Sequence, residues 1–260
     1  MKIVMLFSPG VDSFISDHIL NDNKTPNYGS MIKRVYYDLN TKCSSSEIEK
    51  LKSVYSSDHV EIINDLSYLG NFEKKNYSIM NRNLTMICDA AMRFEPDTIV
   101  LSGNKDDRIA DNTEEFRSLV TTIMSGMFEK NISILSPLKN FEKSKAIYKY
   151  IQDVGTDIGI KNLLNKTLSC YCPVNEREFI YYRKDLLSDE FISGDSFKTK
   201  ECLKCKACFR KYTALVGVNV YVNFDKLILN EYKSDMQNNT IAIDRFITME
   251  RYKQFMETVN

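Results

Sequence analysis

This 260-residue chain contains no run of about 18 apolar residues, and no apolar core follows Met1, so neither a membrane-spanning helix nor a secretion signal is expected. A surplus of charge is missing too. The 35 Lys and Arg residues cancel 35 Asp and Glu, which excludes a global field for nucleic acid and leaves only a local basic groove open. Histidine is scarce: His18 and His59 are the only two, and neither falls in a motif, so both are expected to be surface or satisfied groups. No internal repeat and no low-complexity tract occurs. Seven cysteines are an odd number, and without an export signal the expected setting is reducing and cytoplasmic, where metal ligation outranks disulfides.

Three of those cysteines, Cys202, Cys205 and Cys208, follow C-x2-C-x2-C spacing. With a fourth sulfur from Cys170 or Cys172 they suit one tetrahedral zinc, and Lys204, Lys206, Arg210 and Lys211 offset the surplus thiolate charge. Cys43 and Cys88 are not expected to be ligands, because Cys88 sits on an apolar helical face.

The rest of the chain alternates strand and helix patterns. Residues 2–7 form a short apolar run that ends in a Ser-Pro-Gly turn, and residues 12–20 carry helical spacing. Strands are expected at 34–39, 60–63, 98–101 and 132–135, with helices at 46–56, 83–94, 113–128 and 142–154. This order implies an α/β fold with a doubly wound, mostly parallel sheet, whose ligands lie beyond the carboxyl ends of the strands. A nucleotide-binding α/β domain is expected over 1–165 and a carboxyl-terminal zinc-binding subdomain over 166–260. In the latter, 175–201 reads as a loop insertion, 216–224 as a strand and 243–259 as a closing helix.

The first loop, Ser8, Pro9, Gly10, Val11, Asp12 and Ser13, joins a strand to a helix. Backbone N–H groups, two hydroxyls and a helix amino terminus converge there, which suits pyrophosphate. An ordinary turn capped by Asp12 uses the same residues. The loop lacks the G-x4-G-K-[ST] pattern, so no lysine is placed for γ-phosphate transfer. It resembles the S-G-G-x-D-S signature of the PP-loop ATP pyrophosphatases, which cleave ATP between its α- and β-phosphates and adenylate a substrate.

Within that group the order of motifs is similar to the 7-cyano-7-deazaguanine synthase family. Asn81-Arg82-Asn83 resembles its G-R-N segment, and Ser102-Gly103-Asn104 followed by Asp111 resembles its G-x-N…D-C-R-P-E-F stretch. Ser144-Lys145-Ala146 resembles its S-K-A, and Ser169-Cys170-Tyr171 with the three later cysteines resembles its zinc cluster. The resemblance implies Cys170 as the fourth zinc ligand. It further implies ATP, magnesium and zinc as cofactors, with Ser8, Gly10, Val11, Asp12 and Ser13 on pyrophosphate and its metal. Arg82, Asn83, Gly103 and Lys145 would then hold the nucleotide, and Asn104 and Asp111 the substrate. Asp106 and Asp107 are open to two readings, magnesium ligands or turn caps.

The implied reaction adenylates 7-carboxy-7-deazaguanine and converts it with ammonia to the nitrile; a homodimer is in keeping with the family, and no membrane partner is expected. The departures fall mainly at acceptor positions. Pro9 replaces a loop glycine and removes one N–H donor, Tyr37-Asp38-Leu39-Asn40 stands where the family has Y-G-Q-x-H, and Asn112-Thr113 replaces Cys-Arg. Two alternatives follow: transfer of the activated acid to an amine on a protein or nucleic acid, ending at the amide, or a nucleotide-binding module without turnover.

Overall fold

The computed structural model describes residues 1–21, 32–56, 58–105, 107, 110–185, 187–223 and 243–259. The first strand, β1 (Ile3–Leu6), is apolar at every position because it is central and covered on both faces. Helix α1 (Val11–Asn21) follows, then β2 (Ile32–Tyr37), α2 (Ser44–Val54), β3 (Val60–Ile63), α3 (Arg82–Phe94), β4 (Thr98–Val100), α4 (Glu114–Met127) and β5 (Ser133–Leu135). The five strands are parallel in the order β3-β2-β1-β4-β5. Chain order reverses between β1 and β4, which makes their carboxyl ends the topological switch point.

Alternation along the strands divides the core. Ile3, Met5 and Phe7 pack with Tyr36, Leu51 and Val100 on one face. Val4, Leu6, Val35 and Ile99 pack on the other, with Ile87, Ala90 and Ala91 of α3 and Val120 and Met124 of α4. Each fully buried aliphatic side chain contributes about 1.5–3 kcal/mol to holding the helices on the sheet. Thr113 caps α4, its hydroxyl accepting the Phe116 N–H at 3.1 Å. Helix α2 starts earlier than expected, at Ser44, with its hydroxyl turned back to accept the Thr41 N–H at 2.9 Å.

The chain divides into two compact units, Met1–Glu142 and Lys143–Asn260. The sequence division at 165/166 thus differs from the spatial one. Helix α5 (Lys143–Val154) and α6 (Thr156–Lys166) belong to the second unit, where Ile147, Ile151, Ile160, Leu163 and Leu164 are buried. The pattern reading missed α6, which begins directly after Gly155 (φ 92°) ends α5.

The segment read as a loop insertion is a β-hairpin. Strands β6 (Arg177–Lys184) and β7 (Phe191–Thr199) pair antiparallel, and β8 (Tyr221–Val222) pairs with β6. Tyr181 and Phe197 point inward and are buried, and a register shift between Ile180 and Tyr182 interrupts the alternation. Helix α7 (Lys206–Val216) and the turn at 217–219 take up the start of the segment expected to be strand, and among its described residues β8 is the strand. Phe255 of α8 (Ile243–Val259) contacts the rings of Tyr182, Phe191, Tyr221 and Tyr252 at centroid separations of 5.1–5.8 Å. Among the described residues no helix is long and apolar enough to cross a membrane.

Candidate functional site

The first unit carries its motif residues at the carboxyl end of the sheet. Directly after β1, the Ser8 N–H donates to Ser13 Oγ at 3.2 Å, the two hydroxyl oxygens lie 3.1 Å apart, and the Gly10 N–H reaches Ser8 Oγ at 3.3 Å. The Phe14 N–H to Gly10 carbonyl bond of 3.0 Å closes the first turn of α1. The loop is therefore folded on itself, with its hydroxyls gathered at a helix amino terminus that attracts anions. Asp12 lies in that first turn, and Val11 is buried beneath it.

β4 runs beside β1 in register, Met5 opposite Val100, so the loop after β4 faces the same crevice from its other side. Gly103 leaves room there for the Asn112 side chain, which would have to shift to admit a Cβ 2.1 Å from its Oδ1. The Ser136 hydroxyl donates to the Gly103 carbonyl. Asp107 accepts from the Asn104 N–H at 3.1 Å and from Asn112 Nδ2 at 2.8 Å, and is thereby engaged in closing the loop. Asp106 lies outside the described residues.

Two motif segments far apart in sequence meet. The Asn83 N–H donates to Asp111 Oδ2 at 3.2 Å and Asn83 Nδ2 donates to the Asp111 carbonyl at 3.0 Å, joining the start of α3 to the loop before α4. Asp111 Oδ1, Asn112 Oδ1 and Ser102 Oγ are buried with no hydrogen-bond partner. Buried oxygens of this kind are rare in native proteins and call for donors. Lys145 stands in the second unit, exposed in the first turn of α5.

No sequence motif gives Glu47 a role beyond that of a first-turn helix acid. It lies in the first turn of α2, its Oε2 accepts the Tyr36 hydroxyl at 2.7 Å, and Arg82 acts on it electrostatically. Burial raises its pKa above the ordinary 4.5, with the Tyr36 hydrogen bond and Arg82 opposing. A raised carboxyl favours the folded state while protonated, so its contribution is complete below the unfolded value and is lost as pH climbs through the folded one. Glu47→Gln is expected to flatten the fall of melting temperature with pH from 4.5 upward. Thermal melts across that range check it, and a slope equal to wild type contradicts the assignment.

A cavity of about 750 Å³ opens at the opposite, amino-terminal end of β2 and β3, lined by Arg34, Leu51, Tyr55 and His59 among others. Arg34 bonds Asp17 at 2.7 Å, and His59 stacks on Tyr55 with centroids 5.0 Å apart. None of the motif residues lines it.

In the second unit the sulfurs of Cys170, Cys202, Cys205 and Cys208 lie within 4.8 Å of one another. The measured separations are 3.9 Å for Cys202–Cys208, 3.9 Å for Cys170–Cys205 and 3.6 Å for Cys205–Cys208. Four sulfurs at about 2.3 Å from a central zinc stand roughly 3.8 Å apart in a tetrahedron, so this group has the size of a single-ion site. Backbone amides support it: the N–H groups of Cys172 and Cys202 point at Cys170 Sγ, that of Lys204 at Cys202 Sγ and that of Tyr171 at Cys205 Sγ, at 3.3–3.4 Å. Cys205 is the residue at which α7 begins, so the helix amino terminus also faces the sulfurs. Hydrogen bonding from Cys170 pulls Cys202 down to about 7, and Cys205 is lowered by the same partners, while Cys170 and Cys208 are raised. The four cannot all ionise without a cation among them.

Cys172 stands outside the group. Lys211, counted from the sequence as an offset to thiolate charge, is instead bound to Glu201 in the interior.

No family model and no curated protein matches this chain. Among solved structures, a predicted subunit of a tRNA methyltransferase from Methanocaldococcus jannaschii is 14% identical with a TM-score of 0.38, covering 69% of this chain and 80% of that one. The U34-tRNA thiolase NcsA from Methanococcus maripaludis, solved with its 4Fe-4S cluster, is 13% identical with a TM-score of 0.34, covering 57% of this chain and 55% of that one. Likeness at this level assigns neither a family nor a reaction.

Proposed function

We propose that the chain is a PP-loop enzyme that adenylates a carboxylate with ATP and passes the acyl group to an amine. The observation that carries this reading is the folded Ser8 to Ser13 loop at the switch point, with both hydroxyls and a helix amino terminus turned to one place. A carboxylate oxygen attacks the α-phosphorus, the α–β anhydride bond breaks, and pyrophosphate leaves onto the loop. The amine nitrogen then attacks the acyl carbon, the bond to AMP breaks, and the nitrogen loses a proton to solvent. Binding and orienting are the protein's share, since the acyl-adenylate carries the reactivity.

Ser8, Gly10, Val11 and Ser13 are assigned to pyrophosphate and Asp12 to its magnesium. Arg82, Asn83 and Gly103 are assigned to the nucleotide. The unpaired acceptors Asp111 Oδ1 and Ser102 Oγ suit the amino group of a base. The four-sulfur group is assigned to a structural zinc, because its donors and spacing fit that ion and no position is left open for a substrate.

By resemblance the acid is 7-carboxy-7-deazaguanine and the amine ammonia, with a second ATP dehydrating the amide to a nitrile. A second reading, transfer to an amine on a macromolecule with the product left as an amide, is favoured by what stands in place of the family's Cys-Arg. Asn112 gives its Nδ2 to Asp107 and its backbone carbonyl to Arg117, and Thr113 caps α4, so these positions offer neither a thiol nor a guanidinium to the acceptor.

The test is product analysis of the full chain with ATP, magnesium and the deazaguanine acid. AMP and pyrophosphate are expected in equal amounts, with nitrile under ammonium for the first reading and arrest before it for the second. ADP and phosphate as the main products refute the PP-loop assignment.

A further inference from the structure

A carboxylate with no exposed surface stands behind the sulfur group. Glu201, Lys211 and Tyr212 are 0%, 0% and 1% exposed. Glu201 Oε1 accepts the Ser169 N–H at 2.5 Å and Lys211 Nζ at 3.0 Å, while Oε2 accepts Lys211 Nζ at 3.1 Å and the Tyr212 hydroxyl at 2.5 Å. Lys211 Nζ also donates to the Thr167 carbonyl at 3.3 Å.

These bonds tie together the segments that carry the cysteines. Ser169 precedes Cys170, Glu201 precedes Cys202, and Lys211 and Tyr212 lie on α7, which Cys205 precedes as its cap residue and which contains Cys208. The Thr199 hydroxyl anchors the same turn by accepting the Glu201 N–H at 3.1 Å. A buried ion pair gains little net stability over a well-packed apolar pair, so stability alone is a weak reason for one here. Its attested use is to fix a particular arrangement, and the arrangement fixed here is that of the three sulfur-bearing segments.

We propose that Glu201 is a positioning residue of the metal centre: a single carboxylate that holds all three cysteine-bearing segments in place before the ion arrives. Lys211 neutralises that carboxylate, so the centre gains an anchor without adding net negative charge beside the thiolates. Tyr212 fixes the free side of the carboxylate. The inference rests on the metal reading of the four sulfurs and goes beyond it, because it makes the site preorganised ahead of metal binding. Supporting contacts of this kind typically alter metal affinity about 10–100-fold.

The test measures zinc affinity of the full chain by chelator competition, and the visible absorption of the cobalt-substituted protein, for three variants. Glu201→Gln is expected to bind zinc about 10–100-fold more weakly. Glu201→Leu/Lys211→Met removes both charges at similar volume and is expected to stay folded by circular dichroism while showing the same loss and an altered cobalt spectrum. Tyr212→Phe keeps the ion pair and is expected to fold as wild type with a smaller, several-fold loss.

A purely structural ion pair predicts wild-type affinity and spectrum in any variant that folds. That result in the double variant, or in Tyr212→Phe if the others do not fold, overturns the proposal. Wild-type protein that takes up neither zinc nor cobalt brings down the metal reading itself, and this inference with it.

Discussion

Cys205→Ser is expected to reduce bound zinc from about one ion per chain to near none after dialysis against a chelator, and to destabilise the second unit. Serine keeps the start of α7 intact, because its hydroxyl is a good helix cap where the cysteine had no side-chain cap bond. What it removes is the sulfur that stands 3.9 Å from Cys170 and 3.6 Å from Cys208 and accepts the Tyr171 N–H. A neutral hydroxyl is a poor substitute for a thiolate at a soft site. Every tenfold loss of zinc affinity lowers the metal-linked stability by about 1.4 kcal/mol at fixed free zinc. Metal content by mass spectrometry and thermal melts with and without chelator decide the matter. Full zinc retention in the variant removes Cys205 from the ligand set.

The second large effect belongs to the anion loop. Ser13→Ala removes the hydroxyl that accepts the Ser8 N–H and touches Ser8 Oγ, and Asp12→Ala removes the carboxylate assigned to magnesium. Loss of one group that stabilises charge in the transition state typically costs about 10²–10³-fold in rate. Both variants are expected to lose AMP and pyrophosphate formation by that order, the two products falling together, with the melting temperature little changed. Rapid-quench analysis with labelled ATP measures it. A variant that loses only the later acyl transfer, while still forming pyrophosphate at the wild-type rate, displaces the loop from the adenylation step.

How far the sequence could be read depended on how local the determining contacts were. β1 and its loop were legible because an uninterrupted apolar run ending in Ser-Pro-Gly states both the central strand and its termination. The direct bond between Asn83 and Asp111 was not, since it joins residues 28 apart in sequence that no periodicity pairs and that meet at the carboxyl end of the sheet. The hairpin was hidden by its own charges. Arg177 lies over the Phe179 ring at 5.1 Å and Lys184 over Phe191 at 5.8 Å, so residues that read as solvated letters cover aromatic faces.

That difference also changes an experiment. Replacing 178–196 by a short turn, harmless if the segment were a loop, would remove the buried Tyr181 and take away the strand that pairs with the buried Phe197, and is a core deletion. The fourth sulfur was left between Cys170 and Cys172 by spacing; the structure separates them through the Cys202 N–H, which bonds Cys170 Sγ at 3.3 Å.

The ring of Phe255 sets an order on biosynthesis. The parallel sheet and its helices lie within Met1–Glu142, so a nascent chain has everything that unit needs well before synthesis reaches α8. Tyr182, Phe191 and Tyr221 lack their shared partner until Phe255 has cleared the ribosome. The first unit is thus able to fold during translation, whereas the hairpin emerges with an aromatic face open and waits for the helix that covers it. Ribosome-stalled chains ending before α8 should therefore protect the sheet from protease and leave the hairpin cleavable.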